Sequence, residues 1–137
     1  MSNRDIVAAH YAAGERGDVP AMIANFRDDI RWVEAAGFPL AGLYIGKTTV
    51  VDHVFQVLNA EWQGFGMHPE EIIEEGDRVI VIGRYIATHR GTGRALNART
   101  IHLWNFDAGR IASFEQLTDT LLVAEARRPV ATMNTGV

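Results

Sequence analysis

The sequence contains no cysteine. This absence excludes disulfides, thiolate nucleophiles and cysteine-ligated zinc or iron–sulfur centres. The sequence also has no run close to the roughly 18 apolar residues that a membrane helix needs. Its first ten residues, MSNRDIVAAH, lack the apolar core of a signal peptide. We therefore expect a cytoplasmic protein without a membrane partner.

Basic residues are outnumbered: 13 Lys and Arg stand against 17 Asp and Glu, which gives a net charge of −4. Nucleic-acid-binding domains are usually basic, so no nucleic-acid partner is predicted. The histidines are scattered without the short spacings of a metal site, so no metal is predicted. The segment Gly91-Thr92-Gly93 is typical of a hairpin turn, and no helix follows that would hold a phosphate. The sequence predicts no cofactor.

What is present is the composition of a small globular protein. The chain has 137 residues, of which 47% are hydrophobic and 22% are charged. This length and balance predict one domain over residues 1–137, with a core at about 4–126. The tail at 129–137 is predicted to be mobile or to pack on a partner subunit.

The first third of the chain predicts the order helix, helix, strand, helix. Helical spacing on one face relates Ile6, Val7, His10, Tyr11 and Gly14. Asp18 is placed to cap a second helix, whose apolar face would contain Met22, Ile23 and Phe26. A third helix is predicted from a capping box of Thr49 and Asp52. Its apolar stripe would contain Val50, Val51, Val54, Phe55, Leu58 and Trp62.

A short strand precedes this third helix. Strand side chains alternate between two faces, so Ile30, Trp32 and Glu34 are predicted to share one face. The segment 34–46 has three glycines and a proline and is predicted to be a loop.

The remaining two thirds predict an antiparallel meander of four long strands. Turn patterns recur at 75–77, 91–93 and 107–109, and β-branched segments lie between them. The last strand is expected from Ile111 to about Leu117, and Asp119 is expected to cap a short helix through Ala126. Strands grouped after helices indicate the α+β class.

Several stretches of this plan, taken in order, match one known superfamily. They are YAA at 11–13 with Gly17-Asp18, FRDDIRW at 26–32, Gly42 and Gly46, EGD at 75–77, and HLWNF at 102–106 followed by DAGRI at 107–111. Together they resemble the nuclear transport factor 2-like superfamily, which includes ketosteroid isomerase and the SnoaL-like polyketide cyclases. The resemblance covers residues 4–120.

The resemblance implies a curved antiparallel sheet wrapped around N-terminal helices, a cone with an apolar pocket, also described as a cystatin-like α+β barrel. Dimers through the sheet are common in such proteins. The fold serves isomerases, cyclases, dehydratases, epoxide hydrolases and non-catalytic binding modules, so fold alone does not decide function.

Glu34 is the first candidate catalytic residue. The resemblance places it where ketosteroid isomerases carry their proton-shuttling carboxylate. A carboxylate packed against the indole of Trp32 would be poorly solvated, which raises its pKa toward the range of a general base. The alternative is a glutamate at a strand end whose carboxylate reaches water.

His102 and Tyr11 are the second and third candidates. The resemblance places His102 where the isomerases carry a protonated aspartic acid, and Tyr11 near their tyrosine donor. Alternation puts Thr100, His102, Trp104 and Phe106 on one strand face. An imidazole there could donate a hydrogen bond to a carbonyl oxygen or act as the acid–base partner of Glu34. The alternatives are a core histidine and a core tyrosine with satisfied polar atoms.

Gln116 stands near the point where SnoaL-like cyclases carry a catalytic aspartate, and an amide does not transfer protons at neutral pH. It is therefore expected to bind substrate. The residues expected to line the pocket are Trp32, Trp104, Phe114, Gln116 and Phe55. The alternative is that the aromatic rings simply fill the cone.

Three functions stay open on this evidence. The first is an isomerase- or cyclase-like enzyme that acts on a small apolar carbonyl compound. The second is a non-catalytic module that binds a small apolar ligand or forms a dimer. The third is an epoxide hydrolase or dehydratase using Arg31, Arg84 or Arg99, although no second pocket acid is evident.

A homodimer is the expected assembly. The helices cover one face of the sheet, and the other face would expose apolar side chains. The residues assigned to that exposed area are Val79, Val81, Ile101 and Leu103.

Overall fold

The computed structural model describes residues 1–131. Helix α1 spans Asn3–Glu15 and begins with a capping box in which Ser2 and Asp5 exchange side-chain and backbone hydrogen bonds. Helix α2, Val19–Met22, begins at Asp18, whose carboxylate accepts from the Ala21 amide. This cap confirms the prediction. Phe26, however, does not extend that helix, because it is the first residue of strand β1, Phe26–Glu34.

The predicted loop at 34–46 contains a strand that the sequence did not indicate. Strand β2, Gly42–Ile45, pairs antiparallel with β1 and places Gly42 opposite Glu34. The glycine and proline at 37–39 account only for the tight turn between the two strands. Beyond that turn the backbone of β2 gains hydrogen-bonding partners on the free edge of β1.

The third helical region has three parts: α3 at Lys47–Val50, a π-helical turn at Val51–Phe55, and α4 at Gln56–Glu61. The predicted capping box of Thr49 and Asp52 is wrong, since the helix begins at Lys47 without a side-chain cap. Trp62 also leaves the predicted helical stripe and begins strand β3, opposite His89. Its spacing from Leu58 fits a helix, but strand pairing decides its conformation.

The four-stranded meander is confirmed. It consists of β3 at Trp62–Glu75, β4 at Arg78–His89, β5 at Ala95–Asp107 and β6 at Arg110–Thr118, each antiparallel to the next. Helix α5, Thr120–Arg127, follows, and the Asp119 side chain accepts from the Leu122 amide as predicted.

The strand order is β2-β1-β6-β5-β4-β3 in one curved, open sheet. Strand β1 lies parallel to β6, with Trp32 beside Phe114. The fold is therefore the predicted α+β cone, built on a mixed sheet whose outer strands do not meet to close a barrel. The parallel pairing brings the end of β1 next to Gln116 on β6 and two strands away from β5.

The core contains two clusters of buried apolar residues. The first cluster packs α1 and the third helical region against the sheet, and its largest members are Trp32, Trp104, Phe26 and Phe114. The second lies beneath α5 and includes Phe38, Trp62, Tyr85, Leu96 and Val123. Leu40, Leu58 and Met67 pack against both clusters.

Two residues assigned to the outer sheet face are in fact inside. Val79 and Val81 are fully buried in the first cluster. They pair with Trp104 and His102 across β4 and β5, and paired residues of neighbouring strands point to the same face. Ile101 and Leu103 are half-buried on the other face. The prediction was therefore wrong for the valines.

Within residues 1–131 no helix is both long and apolar enough to cross a membrane. Residues 132–137, which form most of the predicted mobile tail at 129–137, lie outside the described residues.

Candidate functional site

Glu34 is buried at the end of β1. It shares the inner face of β1 with Ile30 and Trp32, as predicted, and it is only 3% exposed. The Trp32 indole donates to Glu34 Oε1 over 3.4 Å, whereas Oε2 has no hydrogen-bonding partner. Burial raises the pKa of Glu34 to about 8, and the indole hydrogen bond only partly opposes this rise.

His102 lies in the middle of β5, between two tyrosine hydroxyls. The Tyr11 hydroxyl oxygen is 2.7 Å from His102 Nδ1, and the Tyr85 hydroxyl oxygen is 2.7 Å from His102 Nε2. Burial holds the pKa of His102 well below its usual range. The ring is therefore neutral at physiological pH, with one N–H and one bare nitrogen.

The two hydroxyl oxygens have further partners. Tyr11 accepts from Trp104 Nε1 at 2.9 Å, and Tyr85 accepts from Gln116 Nε2 at 2.9 Å. Gln116 Oε1 in turn accepts from the Ala35 amide at 3.1 Å. We call Trp104, Tyr11, His102, Tyr85 and Gln116 the tyrosine–histidine chain. It runs from α1 across the core to the residue that follows Glu34.

Burial also acts on the tyrosines of this chain. It raises the pKa of both Tyr11 and Tyr85. A second contribution at Tyr85 is the charge of Glu34, which raises that pKa further. Tyr85 therefore lies within electrostatic reach of Glu34, and both hydroxyls keep their protons at neutral pH.

The aromatic residues expected to line a pocket pack against one another. Trp32 and Phe114 are stacked, with ring centroids 3.6 Å apart, and Trp104 meets both rings edge-on. Phe55 contacts Trp32 edge-on, with centroids 5.4 Å apart. These rings occupy the interior beside Glu34, and Gln116 belongs to the tyrosine–histidine chain.

Two surface hollows of residues 1–131 lie elsewhere. One is between α5 and the start of β5, and the other is lined by Arg27, Asp28, Asp29 and Arg110. Neither is lined by Glu34 or by His102. In the same part of the chain, no three His, Asp or Glu side chains converge as metal ligands would.

The arginines considered for water activation have other partners. Arg84 and Arg99 both donate to Glu70, at 3.3 and 3.2 Å, on the outer part of the sheet. Arg31 is exposed on β1. The geometry therefore joins none of them to Glu34 through a hydrogen bond.

Sequence reasoning missed Tyr85, and it placed His10 on the helical face of Ile6 and Val7 without assigning a hydrogen-bonding partner to it. Tyr85 lies on the same face of β4 as Val79 and Val81, because every second residue of a strand points the same way. Its inward orientation could therefore have been inferred. Its bond to His102 could not, because Tyr85 pairs with Ala98 and reaches His102 diagonally. His10 Nδ1 lies 2.9 Å from the Met22 carbonyl oxygen, and burial lowers its pKa to about 4.

The comparison with known proteins agrees with this architecture. Residues 7–114 match a family model described as the SnoaL-like domain. A nuclear transport factor 2-like protein from Burkholderia thailandensis E264 is 46% identical with a TM-score of 0.90, and the match covers 94% of this chain and 99% of that one. No protein of curated function matches.

Two further solved structures are similar. A nuclear transport factor 2-like protein of unknown function from Burkholderia pseudomallei K96243 is 29% identical, with a TM-score of 0.84 and coverage of 92% of this chain and 98% of that one. TerC, co-crystallised with polyporic acid, is 25% identical, with a TM-score of 0.79 and coverage of 89% and 95%. Because the family model spans most of the sequence and the fold agrees throughout, the chain belongs to the SnoaL-like family of nuclear transport factor 2-like proteins.

Proposed function

We propose that the chain is an acid–base enzyme that removes a proton from the carbon next to the carbonyl group of a small apolar compound, with Glu34 as the base. One observation carries this proposal: the carboxyl group of Glu34 is buried and its Oε2 has no partner. Leaving a buried polar atom unpaired costs about 1–3 kcal/mol. Such a cost at a titratable group is typical of a site that a ligand completes.

The pKa of Glu34 suits this role. A general base works best when its pKa lies near the working pH, and burial raises the pKa of Glu34 to about 8. An ordinary exposed glutamate would be a much weaker base for a carbon acid. The apolar surroundings of Glu34 thus supply the basicity that the reaction needs.

The negative charge that develops on the carbonyl oxygen needs hydrogen-bond donors. Tyr11 and His102 belong to the tyrosine–histidine chain beside Glu34, and its buried hydroxyls are donors of this kind. Both nitrogens of His102 are already engaged with hydroxyls. In this proposal His102 therefore acts through the tyrosines by holding their oxygens in place.

A ligand needs a path to Glu34, since the side chain is only 3% exposed. The irregular segment 35–41 directly follows Glu34, and its Leu40 packs against both core clusters. We expect this segment to move when a ligand enters. The residues then facing the ligand would be Trp32, Trp104, Phe114, Phe55 and Gln116.

The test is exchange of ketone α-protons in D2O, followed by NMR with a panel of small apolar ketones. Exchange needs only a base and a polarised carbonyl, so the natural substrate need not be known. We expect catalysed exchange by the wild type and a loss of about 100- to 10,000-fold in Glu34→Gln. Glu71→Gln, an exposed control, should retain the wild-type rate. Equal rates in Glu34→Gln and wild type would remove Glu34 from the mechanism.

A second candidate function is a non-catalytic module that binds a small apolar ligand. The close packing of Trp32, Trp104 and Phe114 favours a non-catalytic role, because these rings fill the interior in which a substrate would have to meet Glu34. The relative co-crystallised with polyporic acid supports a small ligand in either case. Thermal stabilisation by polyporic acid without ketone exchange would favour this second function.

We also propose a homodimer formed through the outer sheet face. Half-buried or exposed apolar side chains line up across three strands of that face: Ile80, Ile82, Ile101, Leu103 and Leu117. Sedimentation velocity at micromolar concentration should show a dimer, and Leu117→Lys should shift it toward monomer. A wild-type monomer would contradict the proposal.

A further inference from the structure

The three central residues of the tyrosine–histidine chain have one hydrogen more than the bonds between them use. Two O···N contacts of 2.7 Å join Tyr11, His102 and Tyr85. Neutral His102 contributes one N–H, and each tyrosine contributes one O–H. Three hydrogens thus serve two bonds, and one tyrosine hydroxyl hydrogen is not used between the three rings.

The outer neighbours of the chain do not take up this hydrogen. Trp104 Nε1 donates to Tyr11, and an indole N–H is never an acceptor. The amide orientation of Gln116 is fixed because its Oε1 accepts from the Ala35 amide, so its Nε2 donates to Tyr85. Both outer partners are donors. The spare hydroxyl hydrogen therefore points out of the chain.

The tautomer of His102 decides which tyrosine has the spare hydrogen. With the proton on Nε2, His102 donates to Tyr85 and accepts from Tyr11, so Tyr85 keeps a free O–H. With the proton on Nδ1, the free O–H belongs to Tyr11. Tyr85 is held by Gln116, which is also bonded to the amide that follows Glu34. An O–H dipole is most stable when it points toward a negative charge, and above a pH of about 8 the ionised Glu34 supplies a charge that acts on Tyr85.

We propose that Tyr85, held in place by His102 and Gln116, donates its spare hydroxyl hydrogen to the oxygen of a ligand that lies beside Glu34. The nature of the ligand rests on the proposed function: a small apolar carbonyl compound. Glu34 Oε2, which has no partner, faces the same ligand as the base. Tyr85 is then a catalytic residue, and His102 is a positioning residue.

In the proposed step Glu34 removes a proton from the carbon next to the carbonyl group. The C–H bond next to the carbonyl breaks, and its proton forms an O–H bond on Glu34. The electron pair forms a carbon–carbon double bond, and the carbonyl oxygen takes the negative charge. Because burial raises its pKa, Tyr85 keeps its proton. Its hydrogen bond to that oxygen becomes stronger as the negative charge develops there. Return of the proton from Glu34 to carbon restores the enzyme.

The first test needs no ligand. The ¹⁵N resonances of the His102 ring in the wild-type protein show whether the imidazole is neutral and which nitrogen carries the proton. We expect a neutral ring protonated at Nε2. A ring protonated at Nδ1 or at both nitrogens overturns the inference. This measurement also keeps the inference testable if a tyrosine variant does not fold.

The second test uses cyclohexanone labelled with ¹³C at the carbonyl carbon, because this resonance moves when the oxygen accepts a hydrogen bond. We expect a shifted bound resonance in the wild type and about tenfold weaker binding, with the shift lost, in Tyr85→Phe. Glu71→Gln is the control, because Glu71 is exposed on β3 and lies outside the chain, and this variant should bind like the wild type. No bound resonance in the wild type, or an unchanged shift in Tyr85→Phe, overturns the assignment.

These results separate the inference from the proposed function. A carbonyl shift that depends on Tyr85, without α-proton exchange, supports the donor and rejects the enzyme. Exchange that depends on Glu34, with His102 protonated at Nδ1, supports the enzyme and rejects Tyr85 as the donor.

Discussion

The buried interior holds two polar regions that differ in how their atoms are satisfied. In the tyrosine–histidine chain, both nitrogens of His102 and both hydroxyl oxygens have hydrogen-bond partners at 2.7–2.9 Å. At Glu34, one carboxyl oxygen has a single long contact of 3.4 Å and the other has none. Both regions lie in the same core, where Tyr11 is partly buried and the other residues of the two regions are almost inaccessible to solvent.

This difference distinguishes polar groups that stabilise the fold from a polar group that is free to bind a ligand. A network in which every nitrogen and oxygen atom has a partner keeps its geometry, because any rearrangement would break several bonds at once. An unpaired carboxyl group lowers stability and gains its missing partner only when something else arrives. In the proposed enzyme the chain is therefore the rigid part of the site, and Glu34 is the reactive part.

The largest expected effect concerns pH and turnover. With a pKa of about 8, Glu34 is mostly protonated at neutral pH. The ketone exchange rate should rise roughly tenfold per pH unit below that pKa and level off above it, since only the ionised form accepts a proton. NMR exchange rates from about pH 5 to about pH 9 measure this. A flat profile would mean that Glu34 is no more basic than a solvated glutamate.

The next effect concerns the stability that the tyrosine–histidine chain contributes. Gln116→Leu keeps a similar volume but leaves the Ala35 amide without its acceptor and removes a donor from Tyr85. We expect a loss of about 2–4 kcal/mol in the free energy of unfolding, measured by urea denaturation. Gln63→Leu, at an exposed position, should change it by less than about 0.5 kcal/mol. Equal effects would show that the chain adds nothing to stability.

The third effect has the opposite sign and tests Glu34 itself. Its pKa is higher in the folded chain, about 8, than the ordinary value of 4.5, so the folded state holds its proton more tightly. The stability linked to this proton is fully present below pH 4.5 and is lost as pH rises toward 8, by about 1.4 kcal/mol per pH unit at most. Glu34→Gln should remove this dependence and be more stable than the wild type by up to about 4 kcal/mol near pH 8.

Urea denaturation of both proteins at several pH values checks this third expectation. The two stabilities should converge as the pH approaches 4.5, the ordinary value for this carboxyl group. A variant less stable than the wild type at pH 8 would instead indicate that ionised Glu34 has a structural partner.

The smallest effect is at the rim of the site. Tyr44→Phe removes one hydrogen bond, from the hydroxyl to the Leu40 carbonyl at 2.7 Å, at a half-buried position. We expect a loss of about 0.5–1 kcal/mol, because water can hydrate the carbonyl in the variant. Thermal denaturation of the two proteins side by side measures it. A loss of unfolding free energy as large as that of Gln116→Leu would mean that the Tyr44 hydroxyl is as important for stability as the tyrosine–histidine chain.

Alternation along strands was enough to predict much of the inner face. It placed Ile30, Trp32 and Glu34 together and put His102 with Trp104, because neighbouring residues of a strand point to opposite faces. The turn patterns likewise located the four-stranded meander. These features depend on local sequence, and the structure confirms them.

The remaining features depend on contacts between distant segments. Gly42–Ile45 becomes a strand only because β1 offers it an edge. The contact of Tyr85 with His102 requires the exact diagonal between two paired strands, which no local pattern contains. The catalytic roles of Glu34, His102 and Tyr11 stay predictions.

The parallel pairing of β1 with β6 has a consequence for the order of folding. Trp32 and Phe114 are neighbours in space although about 80 residues separate them, whereas the meander joins segments that are adjacent in the chain. Closing a long loop costs more conformational entropy than closing a hairpin, so we expect the meander to form first and β1 to dock afterwards. Until β6 has been synthesised and folded, Glu34 has no apolar surroundings and remains an ordinary acid. Its basicity is acquired in the final stage of folding.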